Sequence, residues 1–455
     1  MKVSIIGTGY VGLVTGTCLA EIGHDVICVD KDNEKIDSLK KGKIPIYEPG
    51  LEELVNKNIS QKRLVFTCDI EDAIKTQGII FIAVGTPPLP DGNADLTYVE
   101  EVAKNIGNHI NDYKIIVNKS TVPIGSGDWV SMIINDNVNC KDQNTGQNKL
   151  SFDVVSNPEF LREGSAIADT FCPDRIVLGS SSKKALETMK KLYEPIIKQN
   201  SGYVCEKRDK INTKEIPVVE TDLISSEMIK YAANSFLATK ISYINEIANV
   251  CEKVGADIKM VSKGIGLDSR IGSKFLNAGI GWGGSCFPKD VLALSQIAAE
   301  YGISTQILNT VVNVNNQQRL MIVQKVQEIL KIIQGKVIGV LGISFKPDTD
   351  DTRDAPSITI MNNLVNMGAR IKAFDPIVKT APDNLNSKVI ICKNPEEIFD
   401  DSDLVILATE WEEFRKIDFK KVINLMRDAN LIDGRNFLDK EDLIKIGYNY
   451  MGVGR

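Results

Sequence analysis

One of the nine cysteines stands apart because of the residues around it. Cys286 lies in the segment GWGGSCFPKD (281–290), where glycines precede it and Lys289 and Asp290 follow closely. Glycines give a ligand access to the backbone, and a nearby cation stabilises a thiolate, so this setting suits a nucleophile. The alternative is a small buried apolar residue, which is the interpretation that fits most of the other cysteines.

A second pair of candidates lies on a predicted helix that runs from about residue 222 to residue 253 with no proline. Lys230 and Asn234 are four residues apart and therefore share one face of that helix. A cation and an amide that point together into a cleft could stabilise an oxygen that becomes negative during a reaction. Taken alone, the pair fits a solvated face of the helix better than a functional site.

Two carboxylates follow a predicted strand in the segment NPEFLREG (157–164). Glu159 and Glu163 are four residues apart and could supply a general base and a ribose contact. As a bare pattern, the segment also fits a capped and charged helix start. Thr121 lies in the segment STVP (120–123), which likewise follows a strand.

Three cations follow strands of the C-terminal part and suit a phosphate group. Lys346 and Arg353 belong to the segment FKPDTDDTR (345–353), and Arg435 follows a later strand. Because the net charge is −6, an anionic ligand must be met by such local cations or by helix ends.

A dinucleotide fingerprint opens the chain. Gly7, Gly9 and Gly12 form GxGxxG directly after a strand, where they allow a tight turn, backbone approach to a pyrophosphate and close helix packing. Asp30 ends the next strand, where a carboxylate accepts the ribose 2′-OH and repels a 2′-phosphate, so we expect NAD rather than NADP. The alternative is a glycine-rich turn that binds no cofactor. Thr86 lies in another strand-ending turn, which alone could be a plain turn.

The elements that position these residues alternate between apolar strands and helices, which indicates an α/β fold. We predict two Rossmann-like, doubly wound domains with parallel sheets, joined by a central helical region that contains the long helix. At about 150 residues per domain, 455 residues suggest three parts. We predict an NAD-binding domain over 1–205, a helical dimerisation and active-site domain over 206–330, and a substrate domain over 331–455.

Composition excludes several classes of function. Lys and Arg number 54 against 60 Asp and Glu, so no broad basic surface points to nucleic acid. Only His24 and His109 are present, which excludes a His-rich metal site, and we expect no metal. Scattered cysteines in odd number argue against a zinc site and a disulfide framework, and for a reducing, cytoplasmic compartment. No apolar run is long enough for a membrane helix.

Together these segments resemble the UDP-glucose 6-dehydrogenase family, within the wider nucleotide-sugar dehydrogenases. The resemblance runs from Lys2 to about Leu438 and depends on GxGxxG, STVP, NPEFLREGSA, the Lys-x3-Asn helix, FLNAGIGWGGSCFPKD and FKPDTDDTR. It implies oxidation of a nucleotide-sugar C6 alcohol to a carboxylate, with two NAD reduced.

The resemblance also implies catalytic roles. Cys286 would capture the aldehyde as a thiohemiacetal that becomes a thioester, and Glu159 would activate the water that hydrolyses it. Thr121 would help to hold this water, and Lys230 with Asn234 would stabilise oxyanions. Asp290 would hold a water or assist the first proton removal.

Binding residues are implied in the same way. The NAD contacts would be Gly7, Gly9, Val11, Gly12, Asp30, Lys35, Thr86, Thr121, Glu163, Lys289 and Arg353. The UDP-glucose contacts would be Glu159, Phe160, Leu161, Arg162, Glu163, Lys230, Asn234, Phe275, Leu276, Asn277, Ala278, Gly279, Gly283, Phe345, Lys346 and Arg435. Arg270 would reach this site from the partner subunit of a homodimer, or of a higher homo-oligomer.

Three alternatives stay open at this point. Related dehydrogenases of GDP-mannose and UDP-N-acetylmannosamine share the cysteine, although the segments EGSA (163–166) and PDRIV (173–177) resemble the UDP-glucose branch more closely. A β-hydroxyacid dehydrogenase also carries Lys-x3-Asn, but a single oxidation needs no thiol. A non-catalytic nucleotide-sugar sensor would not need all of the proposed catalytic residues.

The polar segment 139–150 is predicted to be a loop or excursion from the fold, and it looks long for the family.

Overall fold

The computed structural model describes residues 1–89, 94–138, 151–205, 215–382, 385 and 388–455. The chain divides into two compact units, Met1–Ala232 and Ala233–Arg455. The excursion predicted at 139–150 lies outside the described residues. The domain limits predicted at 205 and 330 stay predictions.

The first unit contains an eight-stranded sheet in the order β3-β2-β1-β4-β5-β6-β7-β8. Its strands are β1 (Lys2–Ile6), β2 (Asp25–Val29), β3 (Leu64–Thr67), β4 (Ile79–Ile82), β5 (Lys114–Asn118), β6 (Phe152–Ser156), β7 (Ile176–Gly179) and β8 (Val218–Thr221). Neighbouring strands are parallel except β6 and β7, which meet in an antiparallel bridge between Ser156 and Gly179. The expectation of a parallel sheet is therefore correct for every pair but one.

Helices cover both faces of this sheet, as a doubly wound fold requires. They are α1 (Tyr10–Glu21), α2 (Asn33–Lys40), α3 (Leu51–Ser60), α4 (Ile70–Thr76), α5 (Thr97–His109), α6 (Ser126–Asn137), α7 (Ala166–Phe171), α8 (Lys183–Leu192) and α9 (Glu194–Ile197). Successive residues of β1 point to opposite faces: Ile5 joins one buried apolar cluster and Ile6 another. The central strand β4 (IIFI) is apolar throughout because both of its faces are buried.

The long helix α10 (Leu223–Val254) has 32 residues and passes through the division between the units at Ala232. This confirms the long helix predicted for residues 222–253. No proline interrupts it, so the backbone hydrogen bonds continue along its whole length.

The second unit begins with helices and ends with a six-stranded, all-parallel sheet in the order β11-β10-β9-β12-β13-β14. Its helices are the C-terminal part of α10, α11 (Ile258–Gly266), α12 (Phe287–Glu300), α13 (Gln306–Leu330), α14 (Pro356–Asn366), α15 (Phe419–Val422) and α16 (Lys440–Ile446). Its strands are β9 (Val337–Leu341), β10 (Arg370–Phe374), β11 (Val389–Ile391), β12 (Leu404–Leu407), β13 (Asn430–Asp433) and β14 (Asn449–Met451). Short 3-10 helices occupy Pro395–Ile398, Glu412–Lys416 and Ile423–Leu425.

One disulfide bond corrects the expectation drawn from the cysteine pattern. Cys172, at the end of α7, is bonded to Cys205 with a Cα–Cα distance of 6.0 Å. The two cysteines are 33 residues apart, and only the fold brings them together. The ring of Tyr203 stacks on Phe171 at a centroid distance of 4.9 Å, which packs the same two segments against each other.

In the part of the chain that the structure describes, no helix is long and apolar enough to span a membrane.

Candidate active site

The glycine fingerprint has the geometry that a pyrophosphate needs. Gly7 has a φ of 102°, and a Cβ there would lie 2.5 Å from the carbonyl oxygen of Ala83. A Cβ on Gly12 would lie 1.9 Å from the carbonyl oxygen of Gly7, so this position also excludes a side chain. Beside Gly9 there is open space, and α1 starts there with no side-chain cap. These residues therefore fit a dinucleotide whose phosphates face the helix N-terminus.

Asp30 is directed at the fingerprint turn. Its Oδ2 accepts hydrogen bonds from Thr8 N at 3.0 Å, from Thr8 Oγ1 at 2.6 Å and from Lys35 Nζ at 2.9 Å. Burial opposes ionisation, but the hydrogen bonds from Thr8 and Lys35 outweigh it and lower the pKa of Asp30 to about 2. A fixed negative charge therefore stands where a ribose would lie, close to the predicted contact Lys35.

The loops that follow β4 and β5 are bonded to each other. Thr86 Oγ1 donates to the carbonyl oxygen of Thr121 at 2.8 Å, and Ser120 Oγ donates to that of Val84 at 2.7 Å. Parallel strands end at the same edge of the sheet, which is where a doubly wound fold binds its ligands. Thr86 and Thr121, both predicted NAD contacts, are thus brought together at this edge.

Glu159 and Lys230 form a buried ion pair. Lys230 Nζ lies 2.8 Å from Glu159 Oε1 and donates to the Glu159 carbonyl oxygen at 2.7 Å, and the second carboxylate oxygen accepts Leu161 N at 2.6 Å. Burial raises the pKa of Glu159, but the charge and hydrogen bond of Lys230 outweigh it, so the net pKa is lowered. Lys230 is therefore not on a solvated helix face, which was the simpler interpretation of its spacing.

The other predicted residues of the NPEFLREG segment differ in their surroundings. The Phe160 ring centroid lies 5.5 Å from Lys230 Nζ and 3.6 Å from the guanidinium carbon of Arg175. Arg162 is exposed and pairs with Asp169, to which its Nε donates at 2.9 Å. Glu163 is half-buried and directly precedes Gly164.

A buried carboxylate that the sequence analysis missed fixes the end of this segment. Glu48 accepts hydrogen bonds from Gly164 N at 2.6 Å and Ala166 N at 2.7 Å, and it bonds to the Tyr10 hydroxyl. Burial and Glu48 together raise the pKa of Tyr10. Because Tyr10 belongs to the glycine fingerprint, Glu48 joins the cofactor turn to the segment that carries Glu163 and Glu159. In the sequence, Glu48 is marked only by its position between Tyr47 and the Pro-Gly pair that directly precedes α3.

In the second unit, Asn234 is held by Asp290. Asn234 Nδ2 donates to Asp290 Oδ2 at 2.6 Å, and Lys289 Nζ lies 3.0 Å from Asp290 Oδ1. Asn234 and Asp290 are both buried, so the amide is oriented by a carboxylate rather than by water. Two predicted catalytic residues and one predicted NAD contact are therefore joined in one cluster.

Cys286 is the residue that precedes α12, and it is half-buried. Its Sγ lies 3.7 Å from Ser285 Oγ. The N-terminus of a 14-residue helix favours a negative charge, which is the form in which a thiol attacks. A nucleophile fits this position better than a fully buried structural cysteine does.

The loop that leads to Cys286 is anchored by buried amide side chains. Asn245 Oδ1 accepts Gly279 N at 2.8 Å, and Gln318 Nε2 donates to Gly279 O at 2.8 Å. Asn315 bonds both backbone groups of Trp282, at 2.8 and 3.0 Å. These amides were also missed, because Asn and Gln in helices are normally read as surface residues. They leave the backbone of the predicted substrate segment rigid.

The predicted substrate contacts in this loop and beyond it differ in exposure. Phe275 is half-buried with a φ of 64°, Leu276, Ala278 and Gly283 are buried, and Asn277 is exposed. Arg435 donates to Gly281 O at 3.1 Å and Phe345 O at 3.2 Å, so it braces the loops around it. Lys346 Nζ lies 5.4 Å from the Phe345 ring.

Two predicted contacts are at the surface. Arg353 pairs with Asp351, and its carbonyl oxygen accepts Gly284 N at 2.9 Å. The Arg270 side chain is 87% exposed and pairs with Asp268. Among the residues that the structure describes, the hydrogen bonds and the ion pair of the Arg270 side chain go to Asp268. Within the described residues, no group of three or more His, Cys, Asp or Glu side chains could hold a metal ion.

Family models match three stretches of the chain. Residues 1–197 match the NAD binding domain of the UDP-glucose/GDP-mannose dehydrogenase family, 224–317 its central domain, and 339–440 its UDP binding domain. The chain is 49% identical to UDP-glucose 6-dehydrogenase TuaD of Bacillus subtilis, with 100% of this chain and 93% of the relative covered. It is 45% identical to the UDP-glucose 6-dehydrogenase of Rhizobium meliloti, with 100% of both covered.

Solved structures agree with these matches. A UDP-glucose dehydrogenase from the archaeon Pyrobaculum islandicum superposes with a TM-score of 0.88 at 35% identity, covering 100% of this chain and 98% of that one. A UDP-N-acetyl-mannosamine dehydrogenase from Staphylococcus aureus superposes with a TM-score of 0.78 at 23% identity, covering 100% and 98%. At that identity the second likeness shows the fold alone.

Proposed function

The chain belongs to the UDP-glucose/GDP-mannose dehydrogenase family, and on that premise we propose that it oxidises the C6 alcohol of UDP-glucose to a carboxylate. The observation that carries the proposal is full-length similarity, up to 49% identity, to relatives named UDP-glucose 6-dehydrogenase. The reaction removes four electrons, so two NAD are reduced for each uronate formed.

Cys286 has the role that a second oxidation requires. An aldehyde carbon cannot release a hydride until a nucleophile has added to it and made it tetrahedral. We assign this addition to Cys286 Sγ, which forms the carbon–sulfur bond while the carbonyl oxygen takes up a proton. Oxidation of the thiohemiacetal gives a thioester on the same sulfur. The N-terminus of α12 stabilises the thiolate at the start of this sequence and again when the sulfur leaves.

Glu159 has the role that hydrolysis requires. We assign it as the base that takes a proton from water, with Thr121 helping to hold that water. The oxygen–carbon bond forms, the carbon–sulfur bond breaks, and the thiolate of Cys286 is restored. Lys230 stabilises the negative oxygen of the intermediate, together with Asn234, whose amide is oriented by Asp290 at 2.6 Å. Asp290 itself holds a water or assists the first proton removal.

NAD, when bound, would supply the acceptor for the hydride that leaves in each oxidation. The residues that would hold it in the first unit are the fingerprint Gly7–Gly12, the side chains of Asp30 and Lys35, Thr86 at the strand-ending loop, and Glu163. Their support is the open space beside Gly9 and the fixed charge of Asp30. Lys289 and Arg353 are proposed contacts from the second unit.

The substrate contacts are proposed for the segment 275–279, Gly283, Phe345, Lys346 and Arg435. Backbone groups of this segment are held by Asn245 and Gln318, which gives a nucleotide sugar a rigid surface to bind. Lys346 supplies a cation for the diphosphate. Phe160, Leu161 and Arg162 are proposed contacts from the first unit.

A panel of nucleotide sugars with NAD tests the function. UDP-glucose should give the largest kcat/KM, measured by NADH absorbance, with GDP-mannose and UDP-N-acetylmannosamine far behind. If either competitor wins, the substrate assignment is wrong and the cysteine chemistry stands. Lack of turnover with all of them would favour a non-catalytic sensor.

We further propose a homodimer that forms through α10. Phe236, Tyr243 and Val250 are spaced seven residues apart and are 65%, 54% and 53% exposed, so they make an apolar stripe on one helix face. Phe236→Asp should lower the molar mass measured by light scattering. Ile390→Asp, at an equally exposed apolar residue on β11, is the matched control and should leave the mass unchanged.

We propose a cytoplasmic location and a uronate product that serves polysaccharide biosynthesis. Beside the Cys172–Cys205 disulfide, the described part of the chain has six free thiols, and this excess of free thiols suits a reducing compartment. Fractionation with a cytoplasmic marker tests the location. Loss of uronic acid from the cell's polysaccharides after deletion of the gene tests the product's use.

A further inference from the structure

Lys119 is a buried cation to which neither the sequence analysis nor the proposed chemistry assigns a role. It follows β5 directly, and its Nζ donates to Asn157 Oδ1 at 3.1 Å. The Tyr193 hydroxyl donates to the same oxygen at 2.7 Å, and Asn157 Nδ2 donates to Val177 O at 2.8 Å. The amide of Asn157 is therefore fixed with its oxygen toward Lys119.

Lys119 also belongs electrostatically to the Glu159–Lys230 pair. Its charge is one of the causes that lower the pKa of Glu159, and Lys230 contributes more strongly. Within the described residues, no carboxylate lies within 4 Å of Lys119. Two buried ammonium groups thus act on one buried carboxylate, but only Lys230 is bonded to it.

The two ammonium groups would behave differently during hydrolysis. Lys230 is proposed to stabilise a negative oxygen, and an anion beside it offsets the positive charge that favours ionised Glu159. Burial would then push Glu159 toward its neutral form, which cannot accept a proton from water. Lys119, by contrast, is bonded to a side-chain amide of the protein, that of Asn157.

We propose that Lys119 is a positioning residue for hydrolysis, whose ammonium group keeps Glu159 ionised while Lys230 is engaged by the oxyanion. This inference rests on the proposed roles of Glu159 and Lys230. It adds a residue to the site: the lysine that follows β5, held by Asn157 and Tyr193.

The charge of Lys119 itself titrates in an accessible range. Burial lowers the pKa of Lys119 to about 8, with Glu159 raising it and Lys230 lowering it further. These two are the charged groups that face Lys119, and Tyr193 shares its amide partner. Above that pH the wild-type lysine is neutral and can no longer support the ionisation of Glu159.

The experiment measures the decay of the uronyl adduct on Cys286 in a single turnover, by rapid quench and intact mass, from pH 5.5 to about 9.5. Lys119→Met removes the charge and keeps the volume. In a plot of the decay rate against pH, the rate falls on the acidic side, and we call this part of the curve the acid limb. In Lys119→Met the acid limb should move to higher pH by about 1, so that the decay at acidic pH slows about tenfold. Above pH ~8 the variant and the wild type should converge, because the wild-type lysine is then neutral.

Two further variants separate charge from packing. Lys119→Arg keeps the charge and should leave the acid limb in place. Lys114→Met is the matched control, since Lys114 is a buried lysine at the start of β5 that pairs with Asp112 instead. It should not move the limb. Lys119→Gln makes the same neutral test if the methionine variant does not fold.

Three results would overturn the proposal. The acid limb could stay in place in Lys119→Met, or the rate could fall equally at every pH in Lys119→Met and Lys119→Arg, as a purely structural lysine requires. If Glu159→Gln hydrolyses the adduct at the wild-type rate, the proposed role of Glu159 fails and the inference fails with it. That last result is distinguishable because it does not involve Lys119.

Discussion

Glu227 ties the long helix α10 to the start of α6, and its replacement gives a prediction with a definite sign. Its Oε2 accepts Gly125 N at 2.6 Å, and its Oε1 accepts Gly127 N at 2.9 Å. Gly125 precedes α6 with a φ of 91° and supplies no side-chain cap, so the buried carboxylate of Glu227 caps this helix. Glu227 therefore holds the segment that follows Thr121 in the chain.

The magnitude follows from the pKa of Glu227. Burial raises this pKa from 4.5 to about 7, Gly125 N and Gly127 N oppose the rise, and Asp128 and Asp222 add to it. The folded form thus binds a proton more tightly than the unfolded form does. Ionisation therefore costs the folded state stability as pH rises from 4.5 to about 7, and the cost levels off at about 3 kcal/mol above pH 7.

Glu227→Gln removes this pH dependence and adds a constant cost. The glutamine NH₂ would face a backbone N–H that has lost its acceptor, at about 1–3 kcal/mol at every pH. At pH 5 the variant should therefore be the less stable protein. Between pH 5 and 8 the difference should move in favour of the variant by about 2.5 kcal/mol.

Urea unfolding monitored by tryptophan fluorescence measures this difference, since Trp129 lies on α6. The midpoints of variant and wild type are compared at each pH. Glu246→Gln, at an exposed residue of α10, is the control and should give a pH-independent difference. If the Glu227 variant instead loses stability relative to the wild type as pH rises, the backbone N–H groups hold Glu227 ionised. That result would refute the argument that burial dominates the pKa of Glu227.

Three other predictions concern the chemistry and the assembly. Glu159→Gln should give a burst of both NADH equivalents per site and then stall with a uronyl adduct on Cys286, visible by intact mass; no burst and no adduct would move Glu159 to an earlier step. Asp30→Ala should lower the preference for NAD over NADP in kcat/KM, and equal use of NADP by the wild type would contradict the reasoning. Arg270→Ala should weaken substrate binding and not NAD binding, and hybrids with Cys286→Ala subunits should regain activity; verified hybrids that stay inactive would place Arg270 in its own chain's site.

The central strands and the long helix could be predicted from the sequence because their signals are strong. The apolar run DVICV (25–29) predicts a strand and the charged segment 33–40 a helix, and β2 and α2 have these bounds; α10 differs from its predicted range by one residue at each end. No comparable apolar run predicts the strands β3, β8 and β14. All three lie at sheet edges, where a strand has one neighbour and keeps exposed residues, so no continuous apolar run marks it.

The residues of the candidate site divide in the same way. Cys286, Lys230 and Glu159 were found because they lie in unusual local segments. The Glu159–Lys230 pair joins residues 71 apart, and whether Lys230 was buried or solvated could not be decided from helix spacing. Lys119 was missed because a single lysine after a strand looks like a surface residue until its neighbours in space are known.

The carboxylates that were missed show how this fold holds its functional loops. The helices α6 and α7 both start without a side-chain cap of their own, directly after segments that carry Thr121 and Glu163. Their first N–H groups are satisfied instead by Glu227 and Glu48, which are at least 100 residues away in sequence. No side chain at either helix start takes this part: Gly125 has none, and the Ser165 hydroxyl directly before α7 donates to Asp169 instead. Remote carboxylates therefore fix both loops, and local sequence spacing cannot reveal them because each acid lies at least 100 residues from the N–H groups that it accepts.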